Sequence, residues 1–128
     1  MKLIKARKIF IVDDDTMITS VLNDYLKAEV NHDITIFNTG EDCLEKLGDK
    51  PDIIVLDYEL NTIVKDAANG LEILEIIKEN HPEIHVIMLS SQERYGVAMK
   101  SMQKGAEQYV VKDHNAFEKV AELIRDLK

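Results

Sequence analysis

The stretch Asp52-Ile53-Ile54-Val55-Leu56-Asp57 decides the fold, because four apolar residues follow one another without a polar interruption between two aspartates. A strand with one face in water alternates apolar and polar residues, so an unbroken apolar run predicts a strand buried on both faces. Val86-Ile87-Met88-Leu89 repeats the pattern. These runs place strands at Asp52 to Asp57 and Ile84 to Leu89, and shorter β-branched runs place three more at Lys8 to Val12, Asp33 to Phe37 and Gln108 to Val111.

Amphipathic stretches fill the intervals. Ile18, Val21, Leu22, Tyr25 and Leu26 follow the spacing of one helix face. A second helix is predicted from Thr39, with Asp42 three residues on as in a capping box, burying Leu44 and Leu47 and stopped by Gly48. Leu71, Ile73, Leu74, Ile76 and Ile77 mark a third, ended by His81-Pro82. The fourth, Arg94 to Lys104, is the weak member, since Gly96 costs about 1 kcal/mol relative to Ala. The fifth runs from an Asn115 cap through Phe117, Val120, Ala121, Ile124 and Leu127. Met17, Met88, Met99 and Met102 read as core fillers, and His32, His81, His85 and His114 as solvated or sheet-edge residues. Regular strand–helix alternation requires parallel strands with right-handed crossovers, which makes the class α/β with helices on both faces of one sheet.

At 128 residues the chain suffices for one domain, residues 1–128, and not for two separate cores. Sixteen Lys and Arg against 24 Asp and Glu leave a net charge of −8, which repels polyanions and argues against direct nucleic-acid binding. The basic amino terminus leads into an apolar stretch too short for a signal peptide, and no apolar run has the length to cross a bilayer. Cys43 has no partner for a disulfide or a zinc site, which fits the cytoplasm.

Ligands of open α/β sheets sit at the carboxyl ends of the strands. There the first strand delivers Asp13, Asp14 and Asp15, the third Asp57, the fourth Ser90 and Ser91, and the fifth Lys112. The second delivers only Asn38 and Thr39, which places it outside the cluster and predicts the order 2-1-3-4-5. Taken singly, each of these residues reads as a cap, turn former or surface group, with Asp15 or Thr16 capping the first helix; only the set is diagnostic. Converging carboxylates at Asp13, Asp14 and Asp57 repel unless a cation lies between them, and an all-oxygen donor set favours Mg²⁺ over Zn²⁺. The Ser90 hydroxyl and Lys112 ammonium then complete a pocket for a phosphoryl group, with Asp57 itself able to act as nucleophile.

Four dispersed motifs, Val12-Asp13-Asp14, Pro51 to Asp57, Val86 to Ser90, and Gly105-Ala106 ahead of Tyr109-Val110-Val111-Lys112, make the chain resemble a receiver domain of the bacterial response-regulator family over nearly its whole length. The resemblance implies a flavodoxin-like doubly wound sheet. It further implies that Asp57 is phosphorylated by a histidine kinase or phosphotransfer protein, and that Asp14 and Asp57 ligate Mg²⁺ directly. Asp13 then acts through metal-bound water, and the Glu59 backbone carbonyl supplies a further ligand. Ser90 closes on the phosphoryl oxygens, Lys112 pairs with them, and Tyr109 changes rotamer, repacking the surface of helix 4, strand 5 and helix 5 for a downstream protein or an output domain. Such a chain is a phosphoacceptor assisting its own phosphorylation and dephosphorylation, not an enzyme in the usual sense.

The chain departs from the family pattern at three places. The loop after Asp57 reaches Gly70 about five residues late and without Pro, which predicts a longer, more mobile loop beside the metal. Asp113 follows Lys112 where many members carry Pro, so a trans bond is expected, a cis one costing about 2.5–4 kcal/mol. Ser91 stands where a very small residue is preferred, which narrows access to Asp57. Two other functions compete: a receiver-like interaction module that is never phosphorylated, and a small Mg²⁺-dependent phosphatase imitated by Asp13-x-Asp15, for which Met17 and the missing cap are wrong.

Overall fold

The computed structural model describes residues 5–61 and 67–127. Five strands, β1 (Lys8–Val12), β2 (Asp33–Phe37), β3 (Ile53–Asp57), β4 (His85–Ser90) and β5 (Gln108–Val111), form one parallel sheet in the order β2-β1-β3-β4-β5. Helices α1 (Thr16–Lys27), α2 (Gly40–Glu45), α3 (Gly70–Asn80), α4 (Tyr95–Gln103) and α5 (Ala116–Asp126) alternate with them. The predicted class, strand order and helix count therefore hold.

The unbroken apolar runs behave as a pleated sheet buried on both sides requires. Along β1 and β3, Ile9, Ile11, Ile53 and Val55 face one layer with Leu22 and Leu26 of α1 and Val120 and Ile124 of α5. Their neighbours Phe10, Val12, Ile54 and Leu56 face the other, against Cys43 of α2 and Ile73, Leu74 and Ile77 of α3. Two cores on opposite faces fix the register, because a one-residue slip would exchange the layers of a whole strand.

The local signals differ from expectation in several places. The second helix ends at Glu45, and a 3₁₀ turn at Leu47–Asp49 carries the chain on to Lys50, whose φ of 57° makes the left-handed stop expected at Gly48. Thr39 does cap α2, its hydroxyl accepting the Asp42 N–H at 3.2 Å. Asn115 stands at the start of α5 but its side chain makes no capping bond; Asp113 instead accepts the Asn115 N–H at 2.9 Å. Asn69 and Glu72 form a reciprocal capping box on α3, a signature present in Asn69-Gly70-Leu71-Glu72 that the periodicity reading passed over.

Of the four methionines read as core, only Met88 is buried; Met17 is 74% exposed, and Met99 and Met102 are exposed as well. The helices bury narrower stripes than the periodicity suggests: α1 buries Thr19, Leu22 and Leu26 and leaves Val21 and Tyr25 half in water, while α4 buries only Ser101. His32 is not solvated. It is buried beside β2, its Nδ1 accepting the Arg7 N–H at 2.9 Å, and burial lowers its pKa. No described peptide bond is cis, including Lys112–Asp113. The centre of the long loop, residues 62–66, lies outside the described residues, and the expectation of mobility with it.

Candidate functional site

Each strand end delivers its residue to one place. Asp13 follows β1, held by its N–H bond to the Phe37 carbonyl and by its Oδ1 accepting the Asp15 N–H at 2.9 Å. Asp15 turns the chain into α1 as its N-cap, as expected of Asp15 or Thr16. Asp57 ends β3, and its setting explains Gly70: a Cβ there would lie 2.3 Å from the Asp57 carbonyl oxygen and 2.6 Å from the Tyr58 Cα. Only glycine lets α3 start this close to the backbone of Asp57, and the Gly70 N–H bonds the Tyr58 carbonyl at 2.8 Å.

Asp13, Asp14 and Asp57 each offer an oxygen within 4.8 Å of the others, with Asp13 and Asp57 buried and Asp14 partly so. Lys112 reaches in from the end of β5, its Nζ donating to Asp57 Oδ1 at 2.9 Å and standing 3.2 Å from Asp13 Oδ2. The second donor to Asp57 Oδ1 is the Glu59 N–H at 3.1 Å. Among the described residues none donates a hydrogen bond to the buried Asp57 Oδ2, and the buried Asp13 Oδ2 has only the Lys112 ammonium at 3.2 Å, an ion pair without hydrogen-bond alignment. Burial costs a carboxylate its hydration, and one ammonium cannot neutralise three acids. Burial and the neighbouring Asp13 charge push the Asp57 carboxyl up to about 8, and burial raises Asp13. Burial alone would lower the Lys112 ammonium, but Asp57 and Asp13 more than reverse this and raise it.

Three converging carboxylates that share one ammonium, in an all-oxygen set, fit a hard divalent cation. Asp13, Asp14 and Asp57 are the side chains that would hold it.

Ser90 ends β4 fully buried, its Oγ accepting the Gln92 N–H at 3.0 Å and donating to the Glu59 carboxylate at 3.1 and 3.3 Å. The same carboxylate accepts the Ser91 N–H at 2.8 Å and a short bond from the Ser91 hydroxyl. Burial opposes ionisation of Glu59, but the Ser91 donors, a hydrogen bond with the Asp57 side chain and the Ser90 hydroxyl together hold its carboxyl below the ordinary glutamate value. Tyr109 is half-buried on β5 and donates its hydroxyl to the Gln92 carbonyl at 2.6 Å. All seven predicted site residues thus lie in one connected neighbourhood. What sequence reasoning missed is the bonding of the Glu59 carboxylate to Ser90 and Ser91, since no local signal ties Glu59 to Ser91, 32 residues away.

Comparison with known proteins accords with this geometry. The family model described as "Response regulator receiver domain" matches residues 9–125. The chain belongs to that family. It is 30% identical over 120 residues to the response regulator protein VraR of Staphylococcus saprophyticus, covering 92% of this chain and 54% of VraR. It is 28% identical over 102 residues to the luminescence regulatory protein LuxO of Vibrio campbellii, covering 79% of this chain and 21% of LuxO. The chain thus spans about half or less of the length of these curated relatives. Among solved structures, the BeF3-activated receiver domain of DrrB, from Thermotoga maritima, superposes with a TM-score of 0.78 at 31% identity, covering 94% of this chain and 95% of that one.

Proposed function

We propose that this receiver domain is a working phosphoacceptor whose reactive group is Asp57. The observation that carries the reading is the meeting of Asp13, Asp14 and Asp57 with a single ammonium, Lys112, the buried Asp57 Oδ2 receiving no hydrogen bond from the described residues. In the reaction a carboxylate oxygen of Asp57 attacks the phosphorus of a phosphohistidine; the P–N bond breaks, the imidazole leaves, and an acyl phosphate forms. The Lys112 and Glu59 N–H bonds to Oδ1 fix the carboxylate's orientation and leave Oδ2 unencumbered. Mg²⁺ is the cation the donor set favours, and when bound it supplies positive charge to offset the acids and the incoming phosphoryl oxygens.

Lys112, already within reach of two carboxylates, pairs with the phosphoryl oxygens once they arrive, and Ser90 donates its hydroxyl to them. Ser90 is bonded to Gln92, whose carbonyl holds Tyr109, so movement at Ser90 reaches β5 and the face bearing the exposed Tyr95, Met99 and Met102. That face of α4, β5 and α5 is the output surface for a downstream protein or an output domain, and the phosphodonor is a histidine kinase or phosphotransfer protein. Phosphorylation and its reversal are thereby assisted by the domain's own residues, in the cytoplasm.

The test is incubation with Mg²⁺ and acetyl phosphate followed by intact mass. One added phosphoryl group in the parent, absent in Asp57→Ala, is the expected result; an unmodified parent would favour the silent interaction module instead.

A further inference from the structure

The Glu59 carboxylate is placed where nothing in the phosphoacceptor reaction requires it. It gathers the Ser90 hydroxyl, the Ser91 N–H and the Ser91 hydroxyl, three donors at the carboxyl end of β4, onto one side chain from the loop after β3. Two residues before it stands the reactive Asp57, whose Oδ1 accepts the Glu59 N–H, so the same short segment carries both the acceptor and the anion that occupies these donors.

A carboxylate and a phosphoryl group present similar faces to such donors: paired oxygens sharing negative charge, best met by charge-assisted hydrogen bonds. Building on the phosphoacceptor reading, we infer that Glu59 is an internal stand-in for the phosphoryl group, a latch that holds Ser90 and Ser91 in the resting arrangement until a phosphoryl group on Asp57 displaces it. The latch has a mechanical continuation. Ser90 Oγ accepts the Gln92 N–H, and the Gln92 carbonyl accepts the Tyr109 hydroxyl, so a bonded path runs from Glu59 through residues 90–92 to β5. While Glu59 keeps its donors, that path is tethered to the loop after β3. Once they turn to the phosphoryl oxygens, the 90–92 segment moves towards Asp57 and the Tyr109 hydroxyl loses its present acceptor. Glu59 therefore acts as a positioning residue, biasing a two-state element by the bonds it makes in only one of the states.

Its length is as important as its charge. Glu59→Asp keeps the charge but falls one methylene short of Ser91, and Glu59→Ala removes both. Fluoroberyllate, a phosphoryl mimic, is titrated at saturating Mg²⁺ into the parent and both variants, and the Ser91 amide is followed by NMR in the metal-free, unmodified proteins. The latch predicts roughly tenfold tighter fluoroberyllate binding in both variants, since a charge-assisted bond no longer competes, and a displaced Ser91 amide resonance in both before any ligand is added. Tighter binding in Glu59→Ala with parent-like binding in Glu59→Asp would show plain relief of charge repulsion and overturn the latch. So would an unmoved Ser91 amide. A parent that neither binds fluoroberyllate nor takes up a phosphoryl group would remove the underlying reading and the latch together, whereas normal phosphorylation without the variant effects would remove the latch alone.

Discussion

Replacing Asp57 by asparagine is expected to make the metal-free protein more stable, although it deletes a buried ion-pair partner. Asp57 lies within 4.8 Å of both Asp13 and Asp14, so at an effective dielectric of about 20 each repulsion costs at least about 3.5 kcal/mol, or about 7 together. Attraction to Lys112 at 2.9 Å returns about 6 kcal/mol on the same footing. The difference, about 1 kcal/mol in favour of removing the charge, grows when the lost hydration of a fully buried carboxylate is added. Asparagine keeps an oxygen for the Glu59 N–H and the Lys112 ammonium. A gain of about 1–3 kcal/mol follows, which for a chain of this size raises the melting temperature by about 4–10 °C. The assay is thermal unfolding followed by circular dichroism, in EDTA at about pH 9, where Asp57 of the parent is mostly ionised. Repeating it with millimolar MgCl₂ should raise the parent and close most of the gap, since a cation bound only by the folded state stabilises by mass action. A variant melting at or below the parent in EDTA, or gaining as much from Mg²⁺ as the parent does, would refute the reasoning.

The mirror-image change at Lys112 carries the opposite sign: Lys112→Met leaves Asp13 and Asp57 without their ammonium and should cost about 3 kcal/mol in urea unfolding without metal. The pH dependence follows from the same site. Asp57 is raised from 3.8 to about 8, so the folded state holds a proton that the unfolded state releases, and its stabilising contribution is complete below about pH 4 and lost as pH rises through about 8. Metal-free stability measured across that window should therefore fall with pH, and Asp57→Asn should flatten much of the slope. Gly70→Ala drives a methyl group against the Asp57 carbonyl and should lower stability by about 2 kcal/mol or more in the same urea assay. Asn69→Ala removes the capping box of α3 for about 1 kcal/mol while leaving phosphoryl uptake in place, as intact mass would show.

What was legible in the sequence divides by the range over which each signal acts. Ile53-Ile54-Val55-Leu56 declared a strand with two buried faces because burial on both sides removes every polar position from the run, and the structure assigns those residues alternately to the two cores. The strand ends were equally legible: a parallel sheet directs all its carboxyl ends to one edge, so Asp13, Asp57, Ser90 and Lys112 were bound to converge once the order β2-β1-β3-β4-β5 was right. Helical periodicity was a weaker guide. Spacing puts Val21 and Tyr25 on an apolar helix face, and Met17 reads as a core filler, but α1 buries only Thr19, Leu22 and Leu26. Likewise, the left-handed residue that ends the turn after α2 is Lys50, at a position where backbone geometry overrode the preference for glycine at Gly48.

Glu59 shows the limit most clearly. Its neighbour Asp57 was identified because strand ends obey a rule of topology, but a glutamate in a loop reads as solvated surface, and its partners lie on another strand's exit. The Glu59 carboxylate matters because β3 and β4 are adjacent, which brings Tyr58 N–H to the Leu89 carbonyl at 2.9 Å and sets the two following loops side by side. Sequence determines that adjacency through both apolar runs at once, yet says nothing of which side chain spans the gap. Converging strand ends are a consequence of the fold shared by every chain that adopts it, whereas the occupant of the space between two loops is particular to this one. A regulatory contact is therefore best sought among side chains that join two strand exits without being required at either.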